Sequence, residues 1–138
     1  MLQDSATVEA SYQRFLKRVA ESEIVIYLSN NEGVANSVSN DDEEATILMF
    51  WSDEAYAKRV ENVLPEEFEV AQMSLFDFLY RWLPGMSGDG VLAGPNWDGN
   101  LFGKELDPFE LREDLEEIMS KSLHEKYEQK YIELTEGT

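Results

Sequence analysis

The chain holds a single histidine, His124, and no cysteine, so the side chains that most often serve as general base or thiol nucleophile are nearly missing. Disulfides and thiolate zinc sites are excluded with them. Gly85-Met86-Ser87-Gly88-Asp89 stops one residue short of G-x-S-x-G, with Asp89 where glycine belongs. A serine nucleophile also needs a base, and His124 lies deep in the last helical pattern amid Glu125 and Glu128; it reads as an exposed helical histidine. Gly88-Asp89-Gly90-Val91-Leu92-Ala93 spells the dinucleotide pattern G-x-G-x-x-A. That motif works only between a preceding strand and a following helix, whose N-terminus meets the pyrophosphate. Here the order is reversed, and the glycines read as a tight turn. Carboxylates are abundant enough for an acid–base pair or an oxygen-ligand metal site, but Asp41-Asp42-Glu43-Glu44 lacks the alternating spacing and central glycine of a calcium loop. It reads as a solvated face. No catalytic, metal or cofactor residue is therefore assigned. Among the aromatics, Tyr27, Trp51, Trp82 and Trp97 could line a pocket with Asn96, Asp98 and Asn100 as polar partners, although such residues more often fill cores. Asn96-Trp97-Asp98 stands apart, because a tryptophan flanked by polar residues in a glycine-rich turn suggests a partner contact.

Charge speaks more clearly than any motif. The formal net charge is −18 over 138 residues, and between Arg18 and Lys58 nine acidic residues occur without one basic residue. Such a surface repels nucleic acid and anionic membranes and steers cationic proteins toward itself. Hydrophobic content of 43% argues for a folded domain rather than a disordered acidic tail. No apolar run approaches the roughly 20 residues of a membrane span, and Met1 to Ala10 lacks the basic-then-apolar pattern of a secretory signal. The expectation is a cytoplasmic protein.

These residues must be positioned by local elements. Val8, Tyr12, Phe15, Leu16 and Val19 make one stripe of a helix from about Thr7 to Ala20. Arg14, Lys17 and Arg18 share another face of it, placed to pair with the protein's own carboxylates. Ile24 to Leu28 and Thr46 to Trp51 read as buried strands, with a turn at Asn30-Asn31-Glu32-Gly33, a returning strand over Val34 to Val38 and a mobile acidic loop from Ser39 to Glu44. Ser52 is the expected cap of a helix that ends near Leu64, before Pro65. Phe68 to Met73 predicts a strand, and Ser74-Leu75-Phe76-Asp77 the start of a helix that buries Leu75, Phe78, Leu79 and Trp82 until Pro84-Gly85 stops it. Gly90 to Ala93 and Leu101 to Gly103 predict two short strands about a turn. Asp107-Pro108-Phe109-Glu110 opens a helix that could run to about Leu134, with Leu111, Leu115, Ile118, Met119 and Leu123 buried. Beyond Leu123 only Tyr127, Tyr131 and Leu134 continue the pattern, so the end either packs on a partner or projects as a charged tail.

Several of these segments resemble a known family. Tyr12, Phe15, Val19, Val25, Leu28, Phe50-Trp51-Ser52 and Tyr56-Ala57 match its first half. Ser74-Leu75, Phe78, Trp82-Leu83, Gly85, Gly90-Val91, Asn96-Trp97-Asp98 and Leu111 match its second. The chain is similar, from Tyr12 to Leu115, to the small bacterial family of unknown function numbered twenty-seven fifty. Ser11 stands where that family tends to have arginine, and Tyr27 where it tends to have tryptophan. The resemblance implies an α+β fold and carries over no catalytic residues. The element order from Thr46 to Ala93 more weakly resembles the N-terminal domain of the serine-sensitivity enhancer family. Small acidic proteins of both kinds are associated with toxin genes as presumed immunity proteins.

The expectation is therefore a single α+β domain, with a small mixed or antiparallel sheet of about five to six short strands, three to four helices and a long C-terminal helix. Its core spans about residues 7–123, with 124–138 an extension. The functional expectation is a non-enzymatic module that binds a basic protein such as a toxin nuclease, through Glu32, Asp41, Asp42, Glu43, Glu44, Asp53, Glu54, Asn96, Trp97 and Asp98. The alternative is a small-ligand-binding or regulatory domain lined by Trp51 and Trp97, and an acid–base enzyme built on carboxylates alone ranks third. No cofactor, nucleic acid or membrane is expected, and the C-terminal helix is a candidate homodimer seam.

Overall fold

A computed structural model describes residues 5–42 and 44–136. Its first helix, α1 (Ser5–Ser22), buries Tyr12, Phe15, Leu16 and Val19. Strand β1 (Ile24–Asn30) turns back at Asn31-Glu32 into β2 (Gly33–Val34), and β3 (Asn36–Val38) and β4 (Thr46–Phe50) follow. After helix α2 (Glu54–Glu61) come β5 (Glu69–Ser74) and a long helix α3, built from Leu75–Asp77, a π-helical turn at Phe78–Trp82, and Leu83–Asp89. Strand β6 (Leu92–Pro95) and helices α4 (Pro108–Ile118) and α5 (Lys121–Glu136) complete the domain. The class is α+β, as the sequence predicts.

The six strands divide into two three-stranded sheets, ordered β2-β1-β5 and β3-β4-β6. The first is antiparallel throughout, while in the second β4 runs parallel to β6. A bridge between Ile26 and Trp51, with N–H···O distances of 2.9 and 2.8 Å, joins the two sheets. Strands β1 and β4 have few polar positions because both of their faces are covered. Val25, Tyr27, Leu48 and Phe50 pack into a core shared with α1, α3, α4 and α5. Their alternates Ile26, Leu28, Ile47, Met49 and Trp51 pack with Ala57 and Val60 of α2 and with Trp97. Period-two alternation thus separates two cores rather than core from solvent.

Four expectations about elements are corrected. Ser52 does not cap α2; Asp53 occupies that position in extended conformation, without a side-chain cap bond. Pro84-Gly85 does not stop α3, because the Leu83 N–H bonds to the Phe78 carbonyl five residues back. That wide turn leaves Pro84 in the first turn of a fresh α-helical segment, where a missing N–H is tolerated. The helix ends instead at Gly90, whose φ of 73° lets Val91 N–H reach the Met86 carbonyl. Leu101 to Gly103 forms no strand; Leu106 supplies a single bridge to Ala93. Finally, the helix after Pro108 breaks at Met119, which is extended at ψ 144°, and Ser120 Oγ accepts the Leu123 N–H at 3.1 Å to start α5. Ile118, expected in the buried stripe, is exposed by this corner. The corner also folds α5 back onto the body, where Tyr127 is buried against Phe76 and Tyr131 stacks on Tyr80. His124 is half-buried, with Nε2 2.5 Å from the Glu116 carbonyl, and so ties α5 to the end of α4.

Candidate functional site

The Asn96-Trp97 segment that follows β6 is the centre of a bonded knot. Asn96 takes a left-handed φ of 51°, a conformation asparagine tolerates better than most residues. Its N–H donates to the Phe50 carbonyl (2.8 Å), and its Oδ1 accepts the Ser52 N–H (2.9 Å). Its Nδ2 donates to the Ser11 carbonyl (3.2 Å) and to Ser52 Oγ (3.1 Å). The ends of β4 and β6 and the middle of α1 are joined by the backbone and side chain of this one residue. Trp51 Nε1 then donates to the Trp97 carbonyl at 2.9 Å, and Trp97 Nε1 to the Lys104 carbonyl at 2.8 Å.

Trp97 is therefore not a surface contact; it is 1% exposed, which corrects its expected role against a partner. A buried indole keeps its N–H satisfied, and this knot does so for both tryptophans. Two glycines that sequence reasoning passed over make room for it. A Cβ on Gly94 would meet Trp97 Nε1 at 2.7 Å, and one on Gly103 would meet Trp97 Cδ1 at 2.5 Å. The four aromatics proposed as one pocket are divided: Trp51 and Trp97 share the core under α2, while Tyr27 and Trp82 pair on the other side at 5.4 Å.

Three of the concave surfaces around this scaffold bear on function. Above the knot lies a cleft of about 200 Å³ between α1, α2 and the loop after β6. Ser11 and Arg14 form one wall, Tyr56 and Arg59 the other, and Asn96 and Trp97 the floor. Arg59 sits over the Tyr56 ring at 5.6 Å. The Asp98 carboxylate at the rim accepts the N–H groups of Asn100 (2.9 Å) and Phe102 (3.2 Å), which shapes the turn. A broader depression of about 860 Å³ runs along the basic face of α1, past Arg14, Lys17 and Arg18. On that face only Arg18 finds a carboxylate among the described residues, bonding Asp53 at 2.7 Å.

The third surface is acidic. A groove of about 620 Å³ lies between the β1–β2 turn and residues 66–69, lined by Glu32, Glu66, Glu67 and Glu69 with no basic residue. Asn30 holds it in shape: its Oδ1 accepts the N–H groups of Glu32 (2.9 Å) and Gly33 (3.2 Å), and its Nδ2 donates to the Glu67 carbonyl (3.2 Å). Of the ten expected binding residues only Glu32 lies here. Glu66, Glu67 and Glu69 were missed because the antiparallel pairing of Ser29 with Glu69 is what brings the two segments together.

The other expected residues go elsewhere. Asp53 is paired with Arg18, and Glu54 with Lys58 at 3.2 Å, so neither offers uncompensated charge. Asp41 and Asp42 donate their N–H groups to Ser39 Oγ at 3.0 Å each, and Glu44 N–H bonds Asp42 Oδ1 at 3.0 Å. Glu105 anchors this loop through Ser39 Oγ and through the Asn40 N–H at 2.6 Å. Its described residues are tied by these bonds, where the composition implies a mobile loop. Glu43 lies outside the described residues.

Two tyrosines hold the outer helices by charge-assisted bonds. Tyr12 donates to Asp114 at 2.5 Å and Tyr127 to Glu23 at 2.6 Å. Burial, reinforced by the partner carboxylate, pushes both phenols far up. The bond from Tyr127, helped by Lys126, holds the Glu23 carboxyl below its ordinary value. Among the described residues no group of three or more histidines and carboxylates is placed to hold a metal ion, and no helix is long and apolar enough to cross a membrane.

No curated protein and no solved structure matches the chain. A family model does match over residues 12–115, from Tyr12 of α1 to Leu115 of α4, and so takes in the Trp51-Ser52 and Asn96-Trp97 knot and the cleft above it except for Ser11. The chain belongs to the family described as Protein of unknown function (DUF2750).

Proposed function

We propose that this protein is a non-enzymatic, cytoplasmic binding module whose partner is a basic protein, in the manner of an immunity-type inhibitor of a toxin such as a nuclease. The observation that carries the reading is the groove of Glu32, Glu66, Glu67 and Glu69, where four carboxylates gather with no cation among them. Elsewhere just over half of the few cations are held in internal ion pairs. Of eleven lysines and arginines, six are ion-paired within the chain among the described residues: Arg18, Lys58, Arg81, Lys104, Arg112 and Lys126. A nuclease needs a cationic site for phosphate, and an anionic groove can occupy that site with steered, fast association. The surface is rimmed by solvent, so its carboxylates lose little hydration before contact.

The test is direct binding to a basic nuclease encoded beside this gene, measured at 20, 150 and 300 mM NaCl (about a fourfold change in screening length). Affinity should fall steeply with salt. Replacing Glu32, Glu66, Glu67 and Glu69 by glutamine should weaken it at least about tenfold, or 1.4 kcal/mol. Binding indifferent to both salt and these four changes would sink the reading.

A further inference from the structure

The cleft above the Asn96 knot carries an inference separate from the acidic groove. In a chain with 29 acidic and 11 basic residues, two arginines line one small concavity, whose rim also carries the Asp98 carboxylate. Arg14 comes from α1 and Arg59 from α2. Neither is ion-paired with a carboxylate among the described residues, although six other cations of the chain are. Lys17, Lys121 and Lys130 are likewise without an ion pair among the described residues, but Arg14 and Arg59 are the two guanidinium groups that line one small cleft. Their planar donor forks match the paired oxygens of a carboxylate or a phosphate.

The surroundings suit a ligand of that kind. The floor is rigid, since Asn96 is fixed by bonds to Phe50, Ser52 and Ser11, and Trp97 by its bond to Lys104. Tyr56 holds the Arg59 guanidinium over its ring, which limits the freedom lost on binding. Ser11 and Tyr56 add hydroxyl-bearing side chains to the two walls. The volume of about 200 Å³ equals the space of about seven water molecules at about 30 Å³ each. It is smaller than the pockets that take drug-sized ligands. The overall negative charge does not forbid an anion here, because screening at physiological salt weakens carboxylates beyond about 8 Å, and the one carboxylate in the lining, Asp98, is engaged by the Asn100 and Phe102 N–H groups.

We propose that the cleft formed by Arg14, Arg59, Tyr56 and Asn96 is a binding site for a small oxyanion, either a carboxylate or a phosphate-bearing metabolite, held by the two guanidinium groups. The ligand approaches a face distinct in its residues from the Glu32 groove, so the two sites are separately testable.

The experiment is a titration of the ¹⁵N-labelled protein with inorganic phosphate and with acetate, each at constant ionic strength against sodium chloride. Saturable shifts are expected at the Trp97 indole N–H and at the Tyr56, Asn96 and Gly99 amides. Arg14→Gln and Arg59→Gln should each weaken binding at least tenfold and leave the rest of the spectrum unchanged. Arg14 is exposed, and its replacement removes no ion pair from the described structure, so that variant tests the site even if Arg59→Gln disturbs α2. Tighter binding of phosphate assigns a phosphate-bearing ligand, and tighter binding of acetate a carboxylate. Chloride-like, non-saturating shifts with both anions overturn the proposal, as does an Arg14→Gln protein that titrates like the parent. Glutamine at Glu32, Glu66, Glu67 and Glu69 should leave these titrations unchanged, whatever it does to protein binding.

Discussion

Glu23 shows how much one residue can join. It takes a left-handed φ of 61°, a conformation that costs a non-glycine residue about 1 kcal/mol. Its N–H bonds the Val19 carbonyl at 2.8 Å and its carbonyl accepts the Leu75 N–H at 2.8 Å, while its carboxylate receives Tyr127 and Lys126. One residue thereby ends α1, starts α3 and anchors α5. Because its folded pKa is lowered, chiefly by the Tyr127 bond, its contribution is complete above the ordinary carboxyl value of 4.5 and is lost as pH falls through the lower folded value. Glu23→Gln should therefore destabilise the protein at pH 7 by about 1 kcal/mol, a figure reduced for solvent screening of a partly exposed group. Urea unfolding at pH 7 and pH 3 measures it: the gap between variant and parent should narrow at the lower pH, and a gap independent of pH would refute the assignment.

At the scale of elements, α5 is the informative case. The sequence pattern thins after Leu123, leaving open whether the end packs or projects. The break at Met119 and the cap from Ser120 reverse the chain so that Tyr127 covers Phe76 and Tyr131 stacks on Tyr80 at 5.1 Å. Removing residues 124–138 should then lower stability by about 2 kcal/mol or more, the order expected for uncovering a buried aromatic. Equilibrium unfolding of the shortened chain checks this. Unchanged stability with a change only in sedimentation would point instead to a helix that serves self-association. The corner was not legible because Met119 and Ser120 carry no helix-breaking side chain; proline and glycine are both absent there. The ends marked by strong local chemistry were legible. Ser74 Oγ accepts the Asp77 N–H at 3.0 Å, and Asp107 caps α4 with Pro108 behind it, as their patterns require.

For the whole molecule, a formal charge of −18 means that folding gathers like charges into a smaller volume. Raising sodium chloride from 0.01 M to 0.15 M shortens the screening length from about 30 to about 8 Å. The melting temperature should rise with it by about 3 °C or more, the shift that about 1 kcal/mol brings in a chain of this size. A melting temperature that stays flat or falls across that range would mean the carboxylates are already compensated in the fold. The same excess of carboxylates accounts for six of the eleven cations standing in ion pairs among the described residues, and two arginines without such partners beside Asn96 share one cleft.

Local chemistry, readable along the chain, determined the α+β class, the stripe of α1, the paths of β1 and β4, the caps at Ser74 and Asp107, the lack of thiol chemistry and the excess of negative charge. It could also carry a family resemblance, because the Phe50-Trp51-Ser52 and Asn96-Trp97-Asp98 segments are contiguous words. Only the tertiary structure decided what those words do. Trp97 looked exposed because its neighbours are polar, yet they are polar in order to bond Ser52, Ser11 and the turn that buries it. The acidic groove and the arginine cleft each join segments more than thirty residues apart in the chain. Strand pairing and helix packing fix such juxtapositions, and no periodicity within either segment encodes them.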